Sequence, residues 1–119
     1  MPVFIDKPTE IKAHGNIPKI IREYIGRVNS KTSPVSIAQM KSPAGWTEPG
    51  QRPEFDEYTV VLKGELHVDF ESAKYIVKEG QAIIAKAGEW VRYSSPGRGA
   101  EYFAVCLPAF ASDTVNRDK

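Results

Sequence analysis

Glu57 is the side chain in this sequence best placed to move a proton. From Gly45 to Gly64 the chain reads GWTEPGQRPEFDEYTVVLKG, a carboxylate-dense loop that runs straight into an apolar strand. On an extended backbone alternate side chains share a face, which aligns Gln51, Pro53, Phe55, Glu57, Thr59 and Val61. Neighbours on that face lie ~7 Å apart, so Phe55 walls one side of Glu57. An apolar wall strips water from a carboxylate and raises its pKa. A carboxyl tuned in this way suits elimination, isomerisation or epimerisation beside a carbonyl. Gln51 adds an amide that can both donate and accept hydrogen bonds. Glu54 and Asp56 fall on the opposite parity, and Glu48 lies in the loop, so the strand itself supplies no second carboxyl. The bland alternative for Glu57 is an ion pair with Arg52 or Lys63.

Other chemistry-bearing residues extend or restrict this picture. Tyr93 shares the inward parity of Val91, and Trp46 and Tyr93 are the aromatic residues expected to wall a small-molecule pocket. Trp46 serves equally well as a plug or as interface packing. Trp90 and Arg92 point the other way, which makes Trp90 core or interface. Cys106 lies in an apolar strand with no histidine nearby in sequence, the setting of an inert core thiol. His14 belongs to a loop, and His67 lies between Leu66 and Val68, so it faces outward if they face inward. Two histidines placed like this make a poor metal site, which needs several imidazoles around one open position. The pocket is therefore expected to hold no metal and no cofactor.

The elements that position these residues read almost entirely as strands. Val3-Phe4-Ile5 is expected to form an edge strand or an arm, and residues 6–18 a loop. Lys19 to Val28 mixes helical spacing with β-branched content and Gly26, and is assigned as strand. Val35–Met40, Glu57–Leu62, Leu66–Phe70, Lys74–Val77, Gln81–Ala85, Trp90–Tyr93 and Glu101–Leu107 follow as strands. Lys63-Gly64-Glu65, Lys78-Glu79-Gly80 and Lys86-Ala87-Gly88 read as the turns between them. The tail from Ser112 is expected to fray or to hold one helical turn. Eight to ten short strands with turns every 8–12 residues or so indicate an all-β sandwich or barrel.

Composition narrows the function classes. The chain has 119 residues, a net charge of +1 and no Lys/Arg run, which leaves nucleic-acid binding without an electrostatic footprint. No apolar stretch approaches the ~20 residues of a membrane span. The lone cysteine cannot close an intramolecular disulfide. The expectation is one cytoplasmic domain with no nucleic-acid or membrane partner.

The strand order resembles the cupin superfamily over roughly residues 35–108, with residues 1–34 as an N-terminal arm and 109–119 as a tail. The family's first block is a glycine, a His-x-His pair, a glutamate, then a glycine after six further residues. Gly45, Glu57 and Gly64 fit that framework, and the two histidine positions fall on Gln51 and Pro53. In the second block Gly80 and Gly88 fit, Lys86 replaces a proline, and Val91 stands where the third histidine belongs. The resemblance implies an all-β jelly-roll barrel, the double-stranded β-helix, with Glu57 facing its interior and the metal-binding imidazoles gone.

Three functions are compatible with these residues. One is a lyase- or isomerase-type enzyme that uses Glu57 as acid–base, assisted by Gln51 and Tyr93. The second is a non-catalytic module that binds or senses a small polar molecule, a sugar or organic acid derivative. The third is a metal-dependent cupin with atypical ligands. A homodimer is also expected, because Tyr58, Val60, Leu62 and Trp90 lie on parities opposite to the pocket.

Overall fold

A computed structural model describes residues 1–119, in nine strands and no helix. β1 is Thr9–Ile11, β2 Ile20–Ile25, β3 Ser36–Ser42, β4 Trp46–Thr47 and β5 Asp56–Phe70. β6 is Lys74–Lys78, β7 Ala82–Ala85, β8 Val91–Ser95 and β9 Ala100–Leu107. Every pairing is antiparallel. The main path runs β1-β2-β3-β9-β5-β8-β4, with β6 and β7 added along β5. This curled sheet is the all-β barrel expected from the sequence.

β5 links the two halves of the barrel. Its first part, Asp56 to Gly64, pairs with β9 and carries β7 on its other edge. Its last part, Glu65 to Phe70, pairs with β6 and β8. The sequence places a turn at Lys63-Gly64-Glu65, and the structure corrects this to a bend within one 15-residue strand. The register shifts between Val61 and Lys63, a bulge that lets a strand leave one sheet and enter the next. Gly64 completes the bend at φ 76°, where a Cβ would run into the Gly99 carbonyl oxygen.

A further correction concerns the N-terminus. Val3 and Phe4 form no strand and are exposed, while β1 lies inside the segment expected to be loop. The tail does not fray: it makes one turn, with Thr114 N donating to Ala111 O at 3.1 Å, and then runs extended. Its residues 114–118 run beside residues 50–54, with Glu54 N donating to Thr114 O at 2.9 Å and Asp118 N to Gly50 O at 2.8 Å. Val115 is fully buried and packs with Phe55 and Cys106. Burial of this one apolar side chain and pairing of the backbone around it hold the tail in place.

The main core contains Trp46, Val61, Leu66, Val68, Val91 and Tyr102. Beside this core the barrel keeps a cavity, and Tyr93 and Tyr102 border both.

Candidate functional site

The cavity is built by period-2 alternation on strands that curl around it. β2 contributes Ile21 and Glu23, with Lys19 one step before its start, and β3 contributes Ser36, Ala38 and Met40. β9 contributes Tyr102, Ala104 and Cys106, and β8 contributes Tyr93. β5 supplies Glu57, with Phe55 and Gln51 on the approach to it. The volume is about 80 Å³. His14 and Arg117 lie at the rim, brought there by the N-terminal segment and the tail.

Four of the five residues singled out from sequence converge here: Gln51, Phe55, Glu57 and Tyr93. Trp46 does not line the cavity. It is fully buried in the main core, and its Nε1 donates to the His14 carbonyl at 3.3 Å. Trp90 is half-buried rather than core: its ring lies against Gly50 and its Nε1 donates to Asp118 Oδ2 at 2.9 Å. Cys106 is buried, as expected of a core thiol, but it also faces the cavity.

Glu57 is enclosed and unpaired by any cation at contact distance. Arg52 reaches Glu71 instead, at 3.1 Å. Burial pushes the Glu57 carboxyl above its ordinary range, opposed by the nearby Lys19 ammonium and by hydrogen bonding from Cys106. Cys106 Sγ donates to Oε1 at 3.7 Å. Burial also raises the thiol, and the Glu57 charge adds to that effect. The Tyr93 hydroxyl lies near the same carboxylate, yet it meets no protein atom in hydrogen-bond geometry. It is a buried phenol without a partner, and burial raises its pKa well above the ordinary value.

Sequence parity missed most charged members of the site, Glu48 and Lys19 foremost. Glu48, dismissed as a loop residue, lines the cavity beside Glu57. Desolvation lifts it from 4.5 to about 7, with Lys19 opposing and the Glu57 charge reinforcing. The strand itself supplies no second carboxyl, as read from the sequence, but the loop brings Glu48 and β2 brings Glu23, whose Oε2 accepts from Val28 N and Asn29 N at 3.0 and 2.8 Å. Lys19 is the second omission. Its Nζ donates to Tyr102 Oη at 2.7 Å and sits 3.9 Å from the Trp46 ring centroid. The signal was available, since Lys19, Ile21 and Glu23 share one parity on β2. At the rim, burial lowers the His14 pKa, helped by Arg117 and Lys12.

The donor set does not fit a metal centre of the kind the resemblance would place here. Gln51 and Val91 occupy two of the imidazole positions and are joined through their backbones, at 2.9 and 2.8 Å. Pro53, at the third, has no donor atom in its side chain. No three His, Cys, Asp or Glu side chains group so as to hold a metal ion. No helix is long and apolar enough to cross a membrane.

Comparison with known proteins follows the same lines. The Cupin domain family matches residues 39–106. The chain is 39% identical over 101 residues to endoribonuclease YbeY of Myxococcus xanthus, which covers 84% of this chain but 34% of that protein. The chain thus spans about a third of the length of that curated relative. Among solved structures, a variant of Bacillus subtilis oxalate decarboxylase superposes with a TM-score of 0.75 at 17% identity, covering 95% of this chain and 31% of that one. A Salmonella typhimurium LT2 protein proposed to be ethanolamine utilization protein Q gives 0.69 at 18% identity, covering 87% and 98%. At such identities the likeness is one of fold.

Proposed function

The chain belongs to the cupin family, and within it we propose an acid–base protein whose cavity binds one small polar molecule and moves a proton on it without a metal. The observation that carries this reading is the buried Glu57 carboxyl and the half-buried Glu48 carboxyl, both desolvated, in one cavity with the Lys19 ammonium. Glu48 titrates at about 7, so it can give or take a proton near neutrality. Glu57, with Cys106 and Tyr93 beside it, is the group in position to abstract or return a proton at the bound molecule. Gln51 and Phe55 hold the ligand's polar and apolar sides, and the reaction class is isomerisation or elimination beside a carbonyl.

A test follows directly. The protein is incubated in D2O with a panel of small oxo and hydroxy compounds, and deuterium at carbon is followed by NMR. Incorporation that Glu57→Gln abolishes supports the reading. Saturable binding with no exchange for any compound overturns it in favour of a binding or sensing module.

Oligomerisation belongs to the same proposal. Ile37, Val105, Tyr58 and Ile84 lie in one cross-strand row over β3, β9, β5 and β7, with Phe103 and Val60 paired in the next row. Val60 and Ile84 are 46% and 54% exposed. A continuous apolar sheet face of this kind is what a second copy would cover, and we propose a homodimer through it. Light scattering at micromolar concentration that gives the mass of one chain would exclude it. The single buried thiol suits a reducing compartment, and we place the protein in the cytoplasm. Endoribonuclease action, named for the Myxococcus xanthus relative, is not proposed: with a net charge of +1 and no basic run, the chain lacks a track for a phosphate backbone.

A further inference from the structure

Lys19 is a fixed cation whose charge is not met at contact distance. Its ammonium is held from one side by the Tyr102 hydroxyl, at 2.7 Å, and from another by the Trp46 ring, at 3.9 Å from the centroid. Tyr102 is itself tied to Ser42 Oγ at 3.2 Å, so the donor is anchored rather than free to swing. None of the four ion pairs in the chain includes Lys19. An ammonium has three donors, and Tyr102 uses one of them. Two N–H groups are therefore left at a cavity wall.

In the same cavity the Tyr93 hydroxyl is buried and has no partner. A buried polar group without a partner carries a desolvation cost that a bound ligand can relieve. The cavity thus offers a cation to an anionic group and a phenol to a neutral oxygen. The rim adds Arg117, with Lys12 close by, so positive charge also lines the entrance. Size sets the last limit. A cavity of about 80 Å³ holds roughly five to eight water-sized positions, enough for a compound of a few heavy atoms and too little for a sugar nucleotide.

We infer that the ligand is a small 2-hydroxy or 2-oxo carboxylate, its carboxylate seated on Lys19 and its neighbouring oxygen on Tyr93. This rests on the acid–base reading above, and it gives that reading a substrate class. Lys19 sets specificity and Tyr93 positions the oxygen, while Glu57 faces the carbon between them. Glu48 and Glu57 do not repel the anion fully, because burial favours their neutral forms.

The experiment is calorimetric titration of the full chain with lactate and pyruvate, against lactamide and xylose as neutral controls. Lactate or pyruvate should bind saturably, with lactamide and xylose at least about tenfold weaker, the loss expected for a hydrogen-bonded charge contact. Lys19→Met keeps the stem over Trp46 and should remove that preference, and Lys19→Arg should retain it within a few fold. Should Lys19→Met fail to fold, the Nζ resonance of the unmodified protein provides a second readout, and it should shift on adding lactate. Equal or tighter binding of lactamide or xylose, no saturable binding of either carboxylate, or an unmoved Nζ resonance overturns the inference. The two readings fail separately. Carboxylate binding without carbon exchange in D2O removes the proton transfer and keeps the ligand class. Exchange of hydroxyacetone with no carboxylate binding does the reverse.

Discussion

Glu57 and Cys106 stand opposite one another in the β5–β9 register, and the thiol donates to the carboxylate at 3.7 Å. The carboxyl is thus held by a weak neutral donor where an ion pair would have needed Arg or Lys at contact distance. The distinction governs what a substitution does. Removing one partner of a buried ion pair leaves a bare charge, whereas removing a desolvated charge relieves a cost.

Glu57→Gln should therefore leave stability at neutral pH unchanged or slightly raised. The amide oxygen still accepts from Cys106, and the titrating group is gone. Urea denaturation measures this, and a loss of ~3–5 kcal/mol would identify Glu57 as half of a buried ion pair instead.

Stability should fall as pH rises from about 4.5 to about 7, the window over which Glu48 ionises in the unfolded chain but keeps its proton in the fold. The folded state binds more protons there, so its advantage shrinks with increasing pH. Glu57, also raised, adds in the same direction. The Glu48 share is at most ~3 kcal/mol, reduced because its side chain keeps some contact with water. Denaturation midpoints at about pH 5 and pH 8 should converge in Glu48→Gln, and an unchanged difference would refute the buried setting of this carboxyl.

Tyr93→Phe removes a buried hydroxyl that has no partner. The unliganded variant should gain up to ~1 kcal/mol, since an unsatisfied buried group is costly. Ligand affinity should drop at the same time. A destabilised variant would mean that the hydroxyl has a partner in the folded protein.

Protein purified without added metal or chelator should contain well under one equivalent of iron, manganese, nickel or zinc. Gln51, Pro53 and Val91 offer no imidazole, thiolate or carboxylate to these ions. Stoichiometric metal that survives dialysis, found by elemental analysis, would contradict this.

The sequence by itself determined most of the strands, though not β1 or β4, and one wall of the site. Turn glycines and β-branched runs are local signals, and so is the alternation that turned Phe55, Glu57 and Tyr93 inward, because side-chain direction on a strand follows from counting in twos. Local signals also misled. Lys63-Gly64-Glu65 has turn chemistry, but the pairing of β5 with β9 on one side and β6 on the other carries the strand through as a bend. Only the tertiary structure decided which loops close over the cavity. Glu48 follows no strand parity, and Arg117 lies 60 residues beyond Glu57 in sequence. Arg117 reaches the site because the tail pairs with residues 50–54 and buries Val115, and Glu48 because its N–H donates to the Tyr93 carbonyl at 3.3 Å. Lys19 is intermediate: its parity on β2 was legible, but its value as an unpaired cation depends on Tyr102 and Trp46, which barrel closure brings to it. Charge in an enclosure is set by what surrounds it from distant parts of the chain, and periodicity carries no such information.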